Sequence, residues 1–279
     1  MKRTNNQPKI LGLLGALTVV ITAVTAHADT NVIDFEGPLP GGLVPVSFVQ
    51  GTYVPPQSMV TTQYVALGVI MQGAALINAG LGHAASGTNH IGGFSGQPPH
   101  VDYGAGLTFT FVSPSDGMTP ASTDYFSLTP DNARDSDNTA LFLAYSLDGQ
   151  LLGSVTYDES VKYPGPSRPT VLSGVGRFHT VVVAPTLHSQ LSGGIGFDLL
   201  TFTSLLAHPR LAIRCPEDRS HVELSWLALS NQTYQLQYRG DLLPSSWTDL
   251  GLPVTGDGTT HTVNDTVTGA ARFYRVVSR

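Results

Sequence analysis

The sequence predicts an all-β protein made of two sandwiches in tandem. Three observations carry the prediction. Apolar and polar residues alternate at period two in many short runs, the mark of half-buried strands. No window of eleven or more residues keeps a clean helical period, because Gly or Pro interrupts most candidates, and the 279 residues include 30 Gly and 19 Pro. Charge is divided unevenly along the chain: residues 29–207 hold 4 basic and 13 acidic side chains, net −9, and residues 208–279 hold 7 of each. A shift of that kind separates two units with different surfaces, and the break falls at Leu206-Ala207-His208-Pro209.

Composition excludes several classes. Charged residues are 12% of the chain, about half the usual share, which rules out a long helix or coiled coil. The net charge is −6 and no basic stripe exists, so no nucleic-acid partner is expected. A single cysteine, Cys215, forms neither an intramolecular disulfide nor a Cys-rich zinc site.

The first segment reads as an address. Lys2, Arg3 and Lys9 precede an apolar run from Ile10 to Val24, and Ala26-His27-Ala28 closes it. That is the three-part pattern of a secretory signal peptide over residues 1–28. The apolar run is about 15 residues, shorter than the roughly 20 needed to cross a bilayer, and no later stretch is long and apolar enough for a stable membrane span. The expected location is secreted, periplasmic or cell-surface. Cleavage leaves 11 basic and 20 acidic residues, with Lys162 the only lysine.

Strands follow in order. Asn31–Phe35, Tyr64–Met71, Leu107–Val112, Tyr125–Leu128, Thr139–Leu147, Leu151–Tyr157, Phe178–Val183 and Ile195–Thr203 make the first unit. His221–Trp226 and Thr233–Arg239 open the second. In Thr139–Leu147 the residues Leu141, Leu143, Tyr145 and Leu147 share a face. Val222, Leu224 and Trp226 share another, as do Tyr234, Leu236 and Tyr238. Gly- and Pro-rich turns space these strands as in antiparallel sandwiches.

The second unit carries the set Val222-Glu-Leu-Ser-Trp226, Tyr234-Gln-Leu-Gln-Tyr238, Ser246-Trp-Thr-Asp-Leu250 and Arg272-Phe-Tyr-Arg-Val276. In that order and spacing it resembles a fibronectin type III-like (immunoglobulin-like) module found at the C-terminal end of many exported bacterial proteins. The likeness covers about Arg210 to Arg279 and departs from the module at Cys215. Each tryptophan can bury much of about 200 Å², and core packing is the reading for both Trp226 and Trp247, in preference to a sugar-stacking platform.

The first unit opens with Val32-Ile-Asp-Phe-Glu-Gly37. Ala85-Ser-Gly-Thr-Asn89, Gly106-Leu-Thr-Phe-Thr-Phe111 and Gly196-Phe-Asp-Leu-Leu-Thr-Phe202 follow. This is similar to exported bacterial jelly-roll domains, which resemble carbohydrate-binding and discoidin-like sandwiches. The resemblance implies that the first and last strands lie side by side with a structural calcium at their ends, held by Glu36 and Asp198 with Asp34 nearby. Calcium takes six to eight oxygens, some from loop carbonyls. A second acidic candidate, Asp131-Asn-Ala-Arg-Asp-Ser-Asp-Asn138, lacks the Gly and distal Glu of an EF-hand, so a solvated turn describes it as well. His83, His90 and His100 recur in a Gly-rich region without paired carboxylates and read as exposed loop histidines.

No catalytic residue is assigned. The unit has two glutamates, Glu36 and Glu159, with Asp158 beside the latter, and glycosidases need two carboxyls about 5–9 Å apart. No Gly-x-Ser-x-Gly elbow surrounds Ser86. The expected function is therefore non-catalytic binding or surface display by an exported protein, with a glycan or cell-surface polymer as partner. Tyr53, Tyr64, Tyr103, Tyr125, Tyr157 and Tyr163 are available to such a site. The alternatives are a polysaccharide hydrolase or lyase on the same scaffold, and a purely structural or adhesive surface protein.

Overall fold

The computed structural model describes residues 30–131, 138–158, 168–186, 195–217, 220–230, 232–241, 246–266 and 271–278. Residues 1–28, where a signal peptide is expected, the interior of the Asp-rich run, Glu159 and Tyr163 lie outside the described residues.

The protein is all-β. Residues up to Ala207 form two facing sheets. The larger has ten strands, its spine running Thr170–Phe178, Ala121–Pro130, Phe197–Phe202, Asn89–Ser95, Ala74–Asn78 and Val46–Ser47. The smaller has five, in the order Leu151–Asp158, Thr139–Tyr145, Thr180–Thr186, Leu107–Phe111 and Val69–Gln72. The first strand, Asn31–Ile33, pairs antiparallel with Phe197–Phe202, matching Val32 with Thr201.

Phenylalanines fill the gap between the sheets. Phe109 and Phe126 meet at 5.2 Å, Phe111 and Phe202 at 5.3 Å, and Phe142 and Phe197 at 5.7 Å between ring centroids. Each pair takes one ring from each sheet, the interdigitation expected of a sandwich core, and such contacts add about 0.5–1.5 kcal/mol beyond area burial.

The expected strand Phe178–Val183 is divided at His179. Thr170–Phe178 belongs to the large sheet and Thr180–Thr186 to the small one. The His179 N–H donates to the Tyr145 carbonyl, its own carbonyl accepts from Phe111 N–H, and its Nδ1 lies 2.7 Å from the Ala121 carbonyl. One residue thus bonds to both layers where the chain crosses.

Period two holds in Thr139–Tyr145, but the buried face is Ala140, Phe142 and Ala144. Leu141, on the face singled out from sequence, is exposed. Phe142 decides the matter, because its ring packs against both Phe126 and Phe197. The expected strand from Tyr64 begins instead at Val69. A short 3-10 turn over Val65–Leu67 ends at Gly68 with φ 92°, a conformation that favours glycine.

After Ala207 come two smaller sheets. One holds Ala212–Arg214, Val222–Ala228 and Thr259–Asp265; the other holds Thr248–Asp249, Thr233–Arg239, Val254–Thr255 and Phe273–Ser278. No described strand after residue 207 pairs with one before it. Leu224, Trp226, Ala228, Tyr234 and Leu236 make the core of this second sandwich. Trp226 is 2% exposed, as expected.

Trp247 corrects the sequence reading. It precedes a two-residue edge strand, is only half-buried, and lies against the guanidinium groups of Arg239 and Arg275.

The two tryptophans should therefore separate in urea unfolding of the full chain. Trp226→Ala should cost about 3–5 kcal/mol, as large-to-small core changes do. Trp247→Ala should cost about 1–2 kcal/mol, since each exposed cation–π contact contributes about 0.5–1 kcal/mol. Equal losses would contradict this assignment of core and surface.

Candidate functional site

The structure brings Glu36 and Asp198 to one place, around the turn 85–89. Glu36 follows the first strand, and Asp198 lies in the strand paired with it. Glu36 Oε1 accepts from the backbone N–H groups of Thr88 at 2.7 Å and Asn89 at 2.6 Å, and Oε2 accepts from Asn89 Nδ2 at 3.1 Å. Asp198 Oδ2 accepts from Ser86 N–H at 2.5 Å and Ser86 Oγ at 2.8 Å, while Oδ1 accepts from Leu199 N–H at 2.7 Å. Asp34 caps the approach, its Oδ1 accepting from Glu36 N–H.

Backbone strain concentrates here. Phe35 (φ 57°) and Leu199 (φ 48°) are the two non-glycine residues with positive φ among those described. Each adjoins one of the two carboxylate residues. Conformations of this kind cost of order 1–3 kcal/mol and persist where the surroundings over-determine them. The surroundings in this case are the hydrogen bonds just named, together with Asn89 Nδ2 donating to the Phe35 carbonyl. Gly87 has φ 48°, and a Cβ on it would come within 2.4 Å of the Glu36 carboxyl.

Asp198 is fully buried, and its pKa is raised to about 6, first by desolvation and further by the neighbouring Glu36 charge; the Ser86 and Leu199 donors oppose the rise. Asp198 is buried and Glu36 partly exposed, and each carboxylate accepts two donors on one of its oxygens. Among the described residues no group of three or more His, Cys, Asp and Glu is arranged to hold a metal. The acceptors left for a cation are Glu36 Oε2 and Asp198 Oδ1, each holding one donor, and Asn89 Oδ1, which is buried with no hydrogen-bond partner. A hard, oxygen-preferring cation suits that set.

The histidines divide. His90 is not an exposed loop residue but lies buried in the strand Asn89–Ser95. Its Nε2 is 3.3 Å from Tyr103 Oη, which donates on to the Phe48 carbonyl, and its Nδ1 is 3.5 Å from Asp131 Oδ2. Burial, with a smaller contribution from His83, lowers the His90 pKa to about 3, so the ring is neutral across the physiological range. Asp131, at the start of the Asp-rich run, is buried and accepts from Gly196 N–H.

A third feature is legible only in part from sequence, which names Tyr53 among six tyrosines but not the loop it stands on. Phe48, Val49 and Tyr53 are exposed by 56%, 54% and 51% on the loop after Val46–Ser47. The loop is pinned throughout. Gly51 N–H donates to Val101 O, Val101 N–H to Thr52 O, and Val54 N–H to Pro99 O. Gln50 Oε1 accepts from Tyr103 N–H, and Gln50 Nε2 donates to Asp102 Oδ1. Tyr53 meets the His100 ring edge-on at 6.1 Å, and Ser95 Oγ donates to Asp102. The loop thus presents exposed Phe48, Val49 and Tyr53 on a hydrogen-bonded backbone, with Gln50, Ser95 and Asp102 linked to one another beside it. Of the other tyrosines considered, Tyr64 and Tyr103 are buried and Tyr125 and Tyr157 are half-buried. The available signal was the exposed apolar run Val46-Ser-Phe-Val49 ahead of a Gln-Gly turn.

No protein-family model matches the chain, and no curated protein matches it. Among solved structures it is similar to a DUF4465 family protein from Bacteroides caccae ATCC 43185, at 9% identity and a TM-score of 0.31, over 67% of this chain and 96% of that one. It is also similar to a beta-1,2-glucanase from Parabacteroides distasonis, at 11% identity and a TM-score of 0.23, over 84% of this chain and 36% of that one. Among the described residues no helix is long and apolar enough to cross a membrane.

Two outcomes follow for the clamp. Gly87→Ala should destabilise the full chain by about 1–3 kcal/mol, the scale of a strained backbone site, and parental stability would show the turn to be loose. The second concerns pH. A carboxyl whose folded pKa rises from 3.8 to about 6 binds more protons folded than unfolded, so its contribution to stability declines as pH rises through that window. His90, lowered from 6.5 to about 3, acts in the opposite sense, and stability increases as pH rises between those values. Asp198→Asn removes the first contribution alone. Between about pH 4 and 6 its melting midpoint should therefore climb more steeply than the parent's; parallel profiles would mean that Asp198 does not titrate there.

Proposed function

We propose that the chain is an exported, non-catalytic carbohydrate-binding protein with a jelly-roll-like first sandwich, and that the surface of Phe48, Tyr53 and His100 holds the glycan. The observation that carries this reading is the combination of exposed rings with a loop hydrogen-bonded along its length. Sugars present apolar C–H faces ringed by hydroxyls, and a site for them pairs flat apolar groups with polar groups at the rim. Tyr53 and Phe48 supply the first, and Gln50, Ser95 and Asp102 the second. Asp102 already accepts from Ser95, Gln50 and Gly104, which orients it before any ligand arrives and reduces the ordering cost of binding.

In the same reading Glu36 and Asp198 bind a structural calcium. The uncovered Asn89 Oδ1 and the raised pKa of Asp198 support it, since a cation would satisfy the first and reverse the second. The clamp would then join the first and last strands of the sandwich more tightly, away from the glycan itself.

A neutral-glycan array on residues 29–279 tests the binding site. Tyr53→Ala or Phe48→Ala should lower affinity for the bound glycan at least tenfold and leave the melting midpoint unchanged. Binding that survives both substitutions would place the ligand elsewhere. Melting of the same protein with calcium and with chelator tests the ion. At free calcium 100 times Kd, a native-only site adds about 2.7 kcal/mol, and Glu36→Gln should remove the gain. Equal midpoints in calcium and chelator would exclude the site.

A further inference from the structure

Three further features remain. The buried His90 chain runs through Tyr103 to the carbonyl of exposed Phe48 and so belongs to the glycan surface already described. Cys215 is exposed and free but stands alone. The outer face of the four-stranded sheet carries more. On the strand Thr233–Arg239, Tyr234 and Leu236 point into the core, so Gln235, Gln237 and Arg239 take the other face. Gln237 lies opposite Arg275 and Arg239 opposite Phe273 on the neighbouring strand. The two arginines are therefore diagonal neighbours on one face.

Their guanidinium carbons lie 4.5 Å and 4.3 Å from the centre of the Trp247 ring. Neither arginine forms an ion pair among the described residues. Arg275 Nε donates to Gln237 Oε1 at 2.8 Å, and Gln237 Nε2 donates to Asp249 Oδ1 at 2.7 Å. A neutral amide thus holds Arg275 in place, with the carboxylate one step removed. That arrangement fixes the guanidinium and leaves its charge and its paired Nη donors unused. Arg239 Nε is buried with no hydrogen-bond partner. Two like charges on one indole, neither paired with a carboxylate, repel one another, and within the chain this is offset by the ring contacts and by the one Arg275–Gln237 hydrogen bond. An oxyanion would satisfy both, since the guanidinium fork matches a planar oxyanion through two parallel N–H bonds.

We propose that Arg239, Trp247 and Arg275 form a second binding site, for an acidic polysaccharide engaged through its carboxylate or sulfate groups. A sugar polymer with spaced oxyanions suits two guanidinium groups set on one ring. Residues 29–207 carry net −9 but the second unit, residues 208–279, is charge-neutral, so an anion approaching this site meets no net charge of like sign on its own unit.

Affinity electrophoresis of residues 29–279 through gels containing polygalacturonate, dextran sulfate or neutral dextran tests this. The protein should be retarded by one or both charged polymers and not by dextran, less so as salt rises. The two charged arms tell carboxylate from sulfate. Arg239→Gln and Arg275→Gln should each weaken the interaction at least tenfold, with a loss of stability in urea no larger than that of Trp247→Ala, which removes both ring contacts. Arg275→Lys keeps the charge but loses the fork, and should restore binding only partly. Tyr53→Ala should bind the charged polymers as the parent does, which separates this site from the glycan surface. Parental affinity in the doubly substituted Arg239→Gln, Arg275→Gln protein would overturn the proposal, as would equal retardation in dextran.

Discussion

Glu36 and Asp198 are more than 160 residues apart in the chain, yet both direct their acceptor oxygens at the same short turn. Four backbone N–H groups and one hydroxyl converge on the two carboxylates. Hydrogen bonds to ionised acceptors contribute about 1.5–3 kcal/mol each, which is the scale needed to hold Phe35 and Leu199 at positive φ. Remove the turn, and the strain has no compensation. The large sheet would then lose the contacts that fix its first strand, the bend in Phe197–Phe202 and the entry to Asn89–Ser95 at one point.

That last strand links the clamp to the proposed glycan surface. Asn89, at its start, donates to Glu36; His90, one residue on, touches Tyr103, which ties down the Phe48 carbonyl; Ser95, at its end, donates to Asp102 beside the exposed rings. Most of the strand is buried, and Gly93 has backbone oxygens of Ala105 and Asp102 where a side chain would begin. A stiff element with its polar groups satisfied at both ends can place surface side chains without further support. The same logic appears in the second sandwich, where Gln237 orients Arg275 from a buried position.

Much of the architecture was legible because alternation survives wherever one strand face meets water. Leu107–Phe111 and Leu151–Asp158 read cleanly for that reason; Thr233–Arg239 did so because its second face, though also buried, is lined by Gln235 and Gln237. Ala74–Asn78 did not, since four of its five residues are buried and no polar alternation remains. Asn89–Ser95 was hidden by its two glycines and its histidine, residue types that usually mark loops. In Thr139–Tyr145 the period was plain, but the choice of face depended on Phe142 finding partners on the opposite sheet, a long-range fact. The pairing of Asn31–Ile33 with the strand that contains Asp198 was suggested by family likeness, and it is present. What the carboxylates hold was not readable, because backbone N–H groups leave no trace in residue types. Trp247 misled for a related reason: aromatic character signals burial, and only the register of Arg239 and Arg275 turns it outward.

The pairing of Asn31–Ile33 with Phe197–Phe202 also sets an order of events for any chain that emerges N-terminus first. The opening strand has no hydrogen-bonding partner until residue 202 is available, so the large sheet stays incomplete while most of its length is already free to collapse. Loop-closure entropy grows only slowly with length, so the completed pairing is not much weakened by its span. The cost falls on time instead. Non-local pairing slows folding, and unpaired apolar strands are exposed to wrong partners meanwhile. A chain of this topology therefore gains from being kept extended until it is complete, and the compact state is reached late, in one closing step at the two ends.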